Sequence, residues 1–144
     1  MRLWHYRLLP YLPNSQLLAQ KRECDLIWKD ILNGKKTNHI LINYIWEYEN
    51  PKIELEKYYR LLRKEYDERG FKFKSKIDIK DYEGLYNPKP FEKHHNARYL
   101  LECFWNLAEK YDRQQKDFSD VRYKKLENFV FGDIKLKEID YQGE

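Results

Sequence analysis

Residues 14–34 read NSQLLAQKRECDLIWKDILNG, and the spacing of their apolar positions settles the fold class. Leu17, Leu18, Cys24, Leu26, Ile27, Ile31 and Leu32 recur at helical spacing, not in the strict alternation of a half-buried strand. Before them, Pro10 and Pro13 hold the opening residues extended, and Asn14 or Ser15 is placed to accept from the free amides of a first helical turn. Asn33-Gly34 then supplies the left-handed stop of a helix. The spacing therefore predicts a first helix over residues 14 to 33, with the pair Arg22 and Glu23 at its middle. On most helices such a pair is a solvated, ion-pairing face.

Further along, Pro51 fits a first helical turn, and Ile53, Leu55, Tyr58, Tyr59, Leu61, Leu62 and Tyr66 form an apolar stripe closed by Arg69-Gly70. Between these two helices, HILINYIWEY over residues 39–48 mixes β-branched and aromatic residues and reads as helix or irregular. Residues 71–90, FKFKSKIDIKDYEGLYNPKP, alternate apolar with charged residues and predict an edge strand followed by a loop. A third helix is expected from Pro90 to about Tyr111, and a shorter fourth, capped by Ser119 or Asp120, to Gly132. The fold class is mainly α, a compact single-domain bundle of three main helices with long, aromatic-rich connections spanning residues 1–144.

Composition narrows the function. Aromatic residues make up 17% of the chain and charged residues 36%, yet 28 Lys and Arg against 24 Asp and Glu leave a net charge of only +4. Such a balance permits nucleic-acid binding without demanding it. Cys24 and Cys103 each lie in an apolar-periodic segment, the pattern of buried free thiols in a reducing cytoplasm. No apolar run is long enough to span a membrane, and Arg2, His5, Arg7 and two prolines interrupt the N-terminus where a signal peptide would be apolar. The expectation is a soluble cytoplasmic protein, acting as a monomer.

Several chemistries are disfavoured by residue type and spacing. His5, His39, Cys24 and Cys103 show no CxxC or HxxxH spacing, and adjacent His94 and His95 would diverge on a helix, so no metal is expected. Those two histidines, with Lys93 and Arg98, read either as solvated helix-start residues or as contacts to a phosphate backbone. Cys24 is flanked by Glu23 and Asp25, which disfavour a thiolate, and its spacing suits a core side chain. There is no GxSxG elbow and no glycine-rich phosphate or dinucleotide loop, so no cofactor is expected either. One nucleophile escapes such searches, the α-amine of the chain itself. Its reference pKa of about 7.7 to 8.0 leaves an appreciable fraction unprotonated near neutrality, whereas a lysine needs a depression of roughly three units to match it. An amine on Met1 would need a carboxylate nearby to move protons, and Glu23 lies on the first helix, only a short Pro-restricted segment away.

The opening MR together with SQLLAQKRE at residues 15–23 resembles the pyrimidine-dimer DNA glycosylase/AP lyase family of the phage endonuclease V type. Members of that family begin with an N-terminal nucleophile followed by Arg and carry a helix reading approximately Q-H-L-M-A-E-Y-R-E. More weakly, IELEKYYRLLRKEYDERGFKF at residues 53–73 is similar to the family's second helix, and the segment from Phe91 takes the place of its third.

The resemblance implies a specific chemistry. The Met1 α-amine, retained because the large Arg2 disfavours methionine removal, would attack C1′ of a damaged nucleotide. It would displace the base and form an imine, and Glu23 would assist the proton transfers of β-elimination. Arg2 and Arg22 would hold phosphates, a role suited to a fork-shaped guanidinium. Gln16 would contact the duplex from the helix start, and Trp4 and His5 would offer surfaces beside the lesion. Lys35, Lys36, Lys72, Lys74 and Lys76 are further candidates for backbone contacts. The partner implied is double-stranded DNA carrying a cyclobutane pyrimidine dimer or an abasic site. The alternatives are a glycosylase for a different modified base, a non-catalytic helical nucleic-acid-binding module, and a small interaction protein.

Overall fold

The computed structural model describes residues 2–36, 38–77 and 89–133. Four α-helices carry the fold: α1 (Asn14–Leu32), α2 (Pro51–Glu68), α3 (Ala97–Asp112) and α4 (Asp120–Asn128). Short 3-10 turns at Tyr6–Tyr11 and Asn43–Glu47 precede α1 and α2, and a π turn at Phe129–Asp133 follows α4. No strand occurs among the described residues, and none of their helices is long and apolar enough to cross a membrane.

The helix ends show where local chemistry sufficed. Asn50 Oδ1 accepts from Ile53 N–H ahead of Pro51, and Ser119 Oγ accepts from Arg122 N–H ahead of α4. Gly34 and Gly70 stop α1 and α2 at φ +66° and +72°, where a side chain would be strained. The start of α1 differs from expectation. Pro13 stands at its cap, the Asn14 side chain is taken by Arg69 Nη1 at 2.8 Å, and the free Ser15 amide donates 2.7 Å to Asp117 from the α3–α4 connection. Partial burial pushes the Asp117 carboxyl up, but the hydrogen bonds from Ser15 and Gln115 outweigh it and hold the group below the usual range. Arg69 also reaches the carbonyls of Leu9 and Pro10, so the residue closing α2 ties down the first turn of the chain.

Three further expectations are corrected. The third helix begins at Ala97, capped by Asn96 Oδ1, and not at Pro90. Phe91 takes a left-handed backbone at φ 54° while its side chain is wholly buried among Tyr44, Tyr48 and Tyr58, with ring centroids 5.7, 5.5 and 6.3 Å away. Core packing of one ring thus fixes a backbone that no helix can contain. Residues 71–77 do alternate at first, with Phe71 and Phe73 inward and Lys72 and Lys74 exposed, yet they form no strand and pair with none among the described residues. The rest of that expected strand and loop, 78–88, lies outside the described residues. The fourth helix ends at Asn128, and the turns to Gly132 belong to the π segment.

The core joins the opening segment to all four helices. Leu3, Leu8, Leu9 and Leu12 are fully buried against Leu17, Ile27, Tyr58, Leu62, Leu100, Leu107 and Leu126. Cys24 and Cys103 are free and buried, as their spacing predicts, and burial pushes both thiols above their usual range.

Candidate site around the opening segment

Residues 2–5 run outside any helix, with no strand beside them among the described residues. An extended, buried backbone without a ladder leaves its amides and carbonyls unpaired, at roughly 1 to 3 kcal/mol per orphaned group. Side chains fill the places a neighbouring strand would take. Arg2 N–H donates to Glu23 Oε2 at 3.3 Å, and Trp4 N–H to Gln20 Oε1 at 2.7 Å. The Arg2 carbonyl accepts from Gln20 Nε2 at 2.8 Å, the Leu3 carbonyl from Tyr99 at 2.5 Å, and the Trp4 carbonyl from Tyr58 at 2.6 Å. His5 N–H reaches Cys103 Sγ at 3.4 Å, and Tyr6 N–H reaches His95 Nδ1 at 3.2 Å.

Gln20 is the hub. It is buried, and its amide is engaged on both sides: Oε1 accepts from Trp4 N–H and shares the single Tyr58 hydroxyl hydrogen with the Trp4 carbonyl, and Nε2 donates to the Arg2 carbonyl and to Glu23 Oε2 at 2.9 Å. It thereby fixes both the opening segment and the carboxylate one helical turn further on. Glu23 Oε2 receives two hydrogen bonds, whereas Oε1 takes none among the described residues. Met1 lies outside them. Its α-amine is separated from the Arg2 nitrogen that Glu23 holds by two carbon atoms of covalent structure.

The expected site residues fall into separate groups. Arg2 and Glu23 come together, and the Arg2 guanidinium lies over Trp4 and Tyr99, 5.7 and 6.0 Å from the ring centroids. Arg22, one residue from Glu23 and so about 100° around the helix, points elsewhere. It is exposed and lines a groove of about 530 Å³ with Asp25, Leu26, Trp28, Lys29, Leu32 and Lys76. Gln16 donates to Gln115 Oε1 at 3.0 Å. Trp4 and His5 are 6% and 2% exposed, so both are core side chains in this structure. Burial lowers His5 to a pKa of about 4, leaving a neutral ring that accepts from Arg7 N–H at 3.1 Å.

His95, read as a solvated or phosphate-contacting residue, is instead buried. Tyr6 N–H donates to its Nδ1, which puts the ring proton on Nε2 facing Tyr44 OH at 2.7 Å. His94 bonds Tyr48 OH at 2.8 Å and sits 3.4 Å from Glu47. Lys35, Lys36, Lys72, Lys74 and Lys76 are all exposed. Among the described residues no three His, Cys, Asp or Glu converge as metal ligands.

Gln20 is hard to read in the sequence because a mid-helix glutamine beside Lys21 and Arg22 looks solvated. The signal available is its register: Leu17, Gln20, Cys24 and Ile27 step by three, four and three, so the glutamine occupies an apolar stripe. Tyr58 and Tyr99 are equally hidden, since a hydroxyl at the end of a core ring leaves no mark on periodicity.

No curated protein and no solved structure matches this chain. The family model of pyrimidine dimer DNA glycosylases matches residues 1–79, which hold the opening segment, Gln20, Glu23, all of α1 and all of α2. α3, with Tyr99 and Cys103, lies beyond the matched span. With the match covering more than half its length, the chain belongs to the pyrimidine dimer DNA glycosylase family.

Proposed function

We propose that this protein removes a damaged pyrimidine, a cyclobutane dimer in particular, from duplex DNA through an imine on the Met1 α-amine and then cuts the strand by β-elimination. The observation that carries the reading is the Glu23 carboxylate, held by Gln20 at 3.3 Å from the Arg2 nitrogen, two carbons from that amine. Its second oxygen takes no hydrogen bond among the described residues and is left for a substrate proton.

In this mechanism the unprotonated amine attacks C1′ and the C1′–N glycosidic bond breaks, the base leaving with the electron pair and taking up a proton. The amine then loses a proton, and O4′ departs from C1′ as the sugar opens, leaving an iminium between Met1 and C1′. The iminium acidifies C2′, Glu23 removes a C2′ proton, and the 3′ phosphate leaves with the C3′–O electron pair. Arg2, backed by Trp4 and Tyr99, supplies fixed positive charge beside the reacting sugar. Arg22, on its own flank with Lys29 and Lys76, holds a phosphate further along the strand. Trp4 and His5 act by packing, because a buried ring that positions Arg2 has no face left for a base.

Borohydride trapping tests the chemistry. The untagged protein, its free N-terminus verified by mass, is incubated with one duplex bearing an abasic site and one bearing a cyclobutane dimer, and the adduct is located by mass spectrometry. The expected adduct is on the Met1 amine, and an N-terminal extension removes it while salt-dependent DNA binding persists. An adduct on a lysine, or none on either duplex, overturns the assignment.

A further inference from the structure

A basic groove lies apart from Glu23, on α2 and the start of the chain. It measures about 660 Å³ and is lined by Arg7, Arg60, Arg63, Lys64 and Lys89, with Asp67 as its lone acid. Arg7, Arg63, Lys64 and Lys89 are exposed and make no ion pair among the described residues. Five cations against one anion give this groove as much positive charge as the whole chain's net of +4. Such a concentration is costly to fold, since like charges repel across the concavity, and an anionic partner relieves it.

The groove is also mechanically joined to the opening segment. Tyr6 forms part of its wall. From there the rings run inward: Tyr6 lies 6.2 Å from His95 and His95 5.0 Å from Tyr99, whose face carries the Arg2 guanidinium at 6.0 Å. All of these inner rings are buried or half-buried, so Arg2 and Arg7 sit on one rigid unit.

We propose that the Arg7–Arg63–Lys64–Lys89 groove is a second anchoring track for the sugar–phosphate backbone of the same duplex whose lesion lies at Arg2 and Glu23. The inference rests on the glycosylase reading for the identity of the duplex. The track reads no base, because it offers cations on flexible stems and no rigid hydrogen-bonding edge. Its contribution is affinity and register on undamaged flanking DNA.

The test compares the full-length protein with Arg63→Gln/Lys64→Gln, two exposed positions outside the proposed catalytic machinery, and with the charge-conserving Arg63→Lys/Lys64→Arg. Binding to a long undamaged duplex is measured against salt, and borohydride trapping on a short abasic duplex is measured at saturation. Each phosphate that the protein no longer neutralises lowers the slope of log K against log salt by roughly 0.9. The expected result is a slope lowered by one to two in the Gln variant, restored in the charge-conserving variant, with trapping unchanged in both. A slope and affinity equal to wild type in the Gln variant overturn the proposal, as does a loss that the charge-conserving variant fails to restore. Should the wild type trap no imine at all, the glycosylase reading falls, while the salt slopes still decide the groove.

Discussion

Two segments of this chain are extended without belonging to a sheet, and they have opposite fates. Residues 2–5 are threaded through the core and tied to three helices by side chains of Gln20, Glu23, Tyr58, Tyr99 and Cys103. Residues 71–76 lie on the surface, with Phe71 and Phe73 against Tyr66 and Tyr59 and a hydrogen bond of 3.2 Å from Lys76 N–H to the Tyr59 hydroxyl. Neither segment has a strand partner among the described residues. What separates them is who satisfies the backbone. Side chains of three helices take up the backbone groups of residues 2–5 and fix that segment beside the Glu23 carboxylate, whereas among the described residues a helical side chain reaches only the Lys76 amide of 71–76, which remains a surface connection.

The substitution most damaging to the first segment's function leaves its structure untouched. In Glu23→Gln the new amide oxygen still accepts from Arg2 N–H and Gln20 Nε2, so the opening segment stays in place and only the charge and the proton capacity vanish. Loss of a positioned acid–base group costs about 10²- to 10⁴-fold. Single-turnover strand cutting on an abasic duplex should fall by that factor at unchanged urea midpoint. Full retained activity would show that Glu23 holds the segment and does no chemistry.

Acid should loosen the first segment and spare the second. His5 is neutral in the fold, its pKa lowered by burial to about 4 from an ordinary 6.5, and His95 is lowered well below that ordinary value by burial and by His5 and His94 nearby. Around these two rings the facing groups are Tyr6, Tyr44, Tyr58 and Tyr99, with Arg7 adjoining. Between the two pKa values the unfolded chain binds a proton that the fold refuses. The stabilisation is therefore full above about pH 6.5 and is lost as pH falls toward 4, by about 3 kcal/mol for His5 alone. Urea midpoints of the wild type and His5→Gln across this range check the sign. The gap between the two proteins should narrow as pH falls, and parallel curves would contradict a neutral, buried His5.

A subtler change is Tyr58→Phe. Its hydroxyl serves the Trp4 carbonyl and Gln20 together, and removing it orphans a buried carbonyl at roughly 1 to 3 kcal/mol. Urea denaturation followed by tryptophan fluorescence measures the loss. A cost near zero would mean that the segment is held by its apolar side chains and not by its backbone partners.

How far the sequence foretells this molecule follows the same division. α1 and α2 are legible because their stops are local, Gly34 and Gly70, and their stripes repeat at helical spacing. The false cap at Asn14, the false start at Pro90 and the expected strand at 71 fail for a shared reason. Each is decided away from its own residues: Arg69 for Asn14, the ring cluster around Phe91, and, among the described residues, the lack of a neighbouring strand beside 71–77. At the site, Glu23 and Arg2 are legible through a resemblance, whereas Gln20, Tyr58 and Tyr99 act through single polar atoms on otherwise ordinary core positions. The distinction between Arg22 and Glu23 is implicit in helical geometry, since adjacent residues cannot share a face.

The mildest of these effects tests the same division from the surface side. In the surface segment, Phe73 packs 4.9 Å from both Tyr59 and Tyr66 and carries the Lys21 ammonium at 5.1 Å, whereas Lys74 beside it is exposed and makes no ion pair among the described residues. Phe73→Ala should cost about 1 to 2 kcal/mol as its ring packing disappears, and Lys74→Ala should stay within about 0.5 kcal/mol, both read from urea midpoints. The pair is informative because the two residues share one backbone and differ only in the direction of the side chain. Were Lys74→Ala as costly as Phe73→Ala, the segment would be held along its whole length, as residues 2–5 are, and satisfaction by helical side chains would no longer be what separates a platform from a connection.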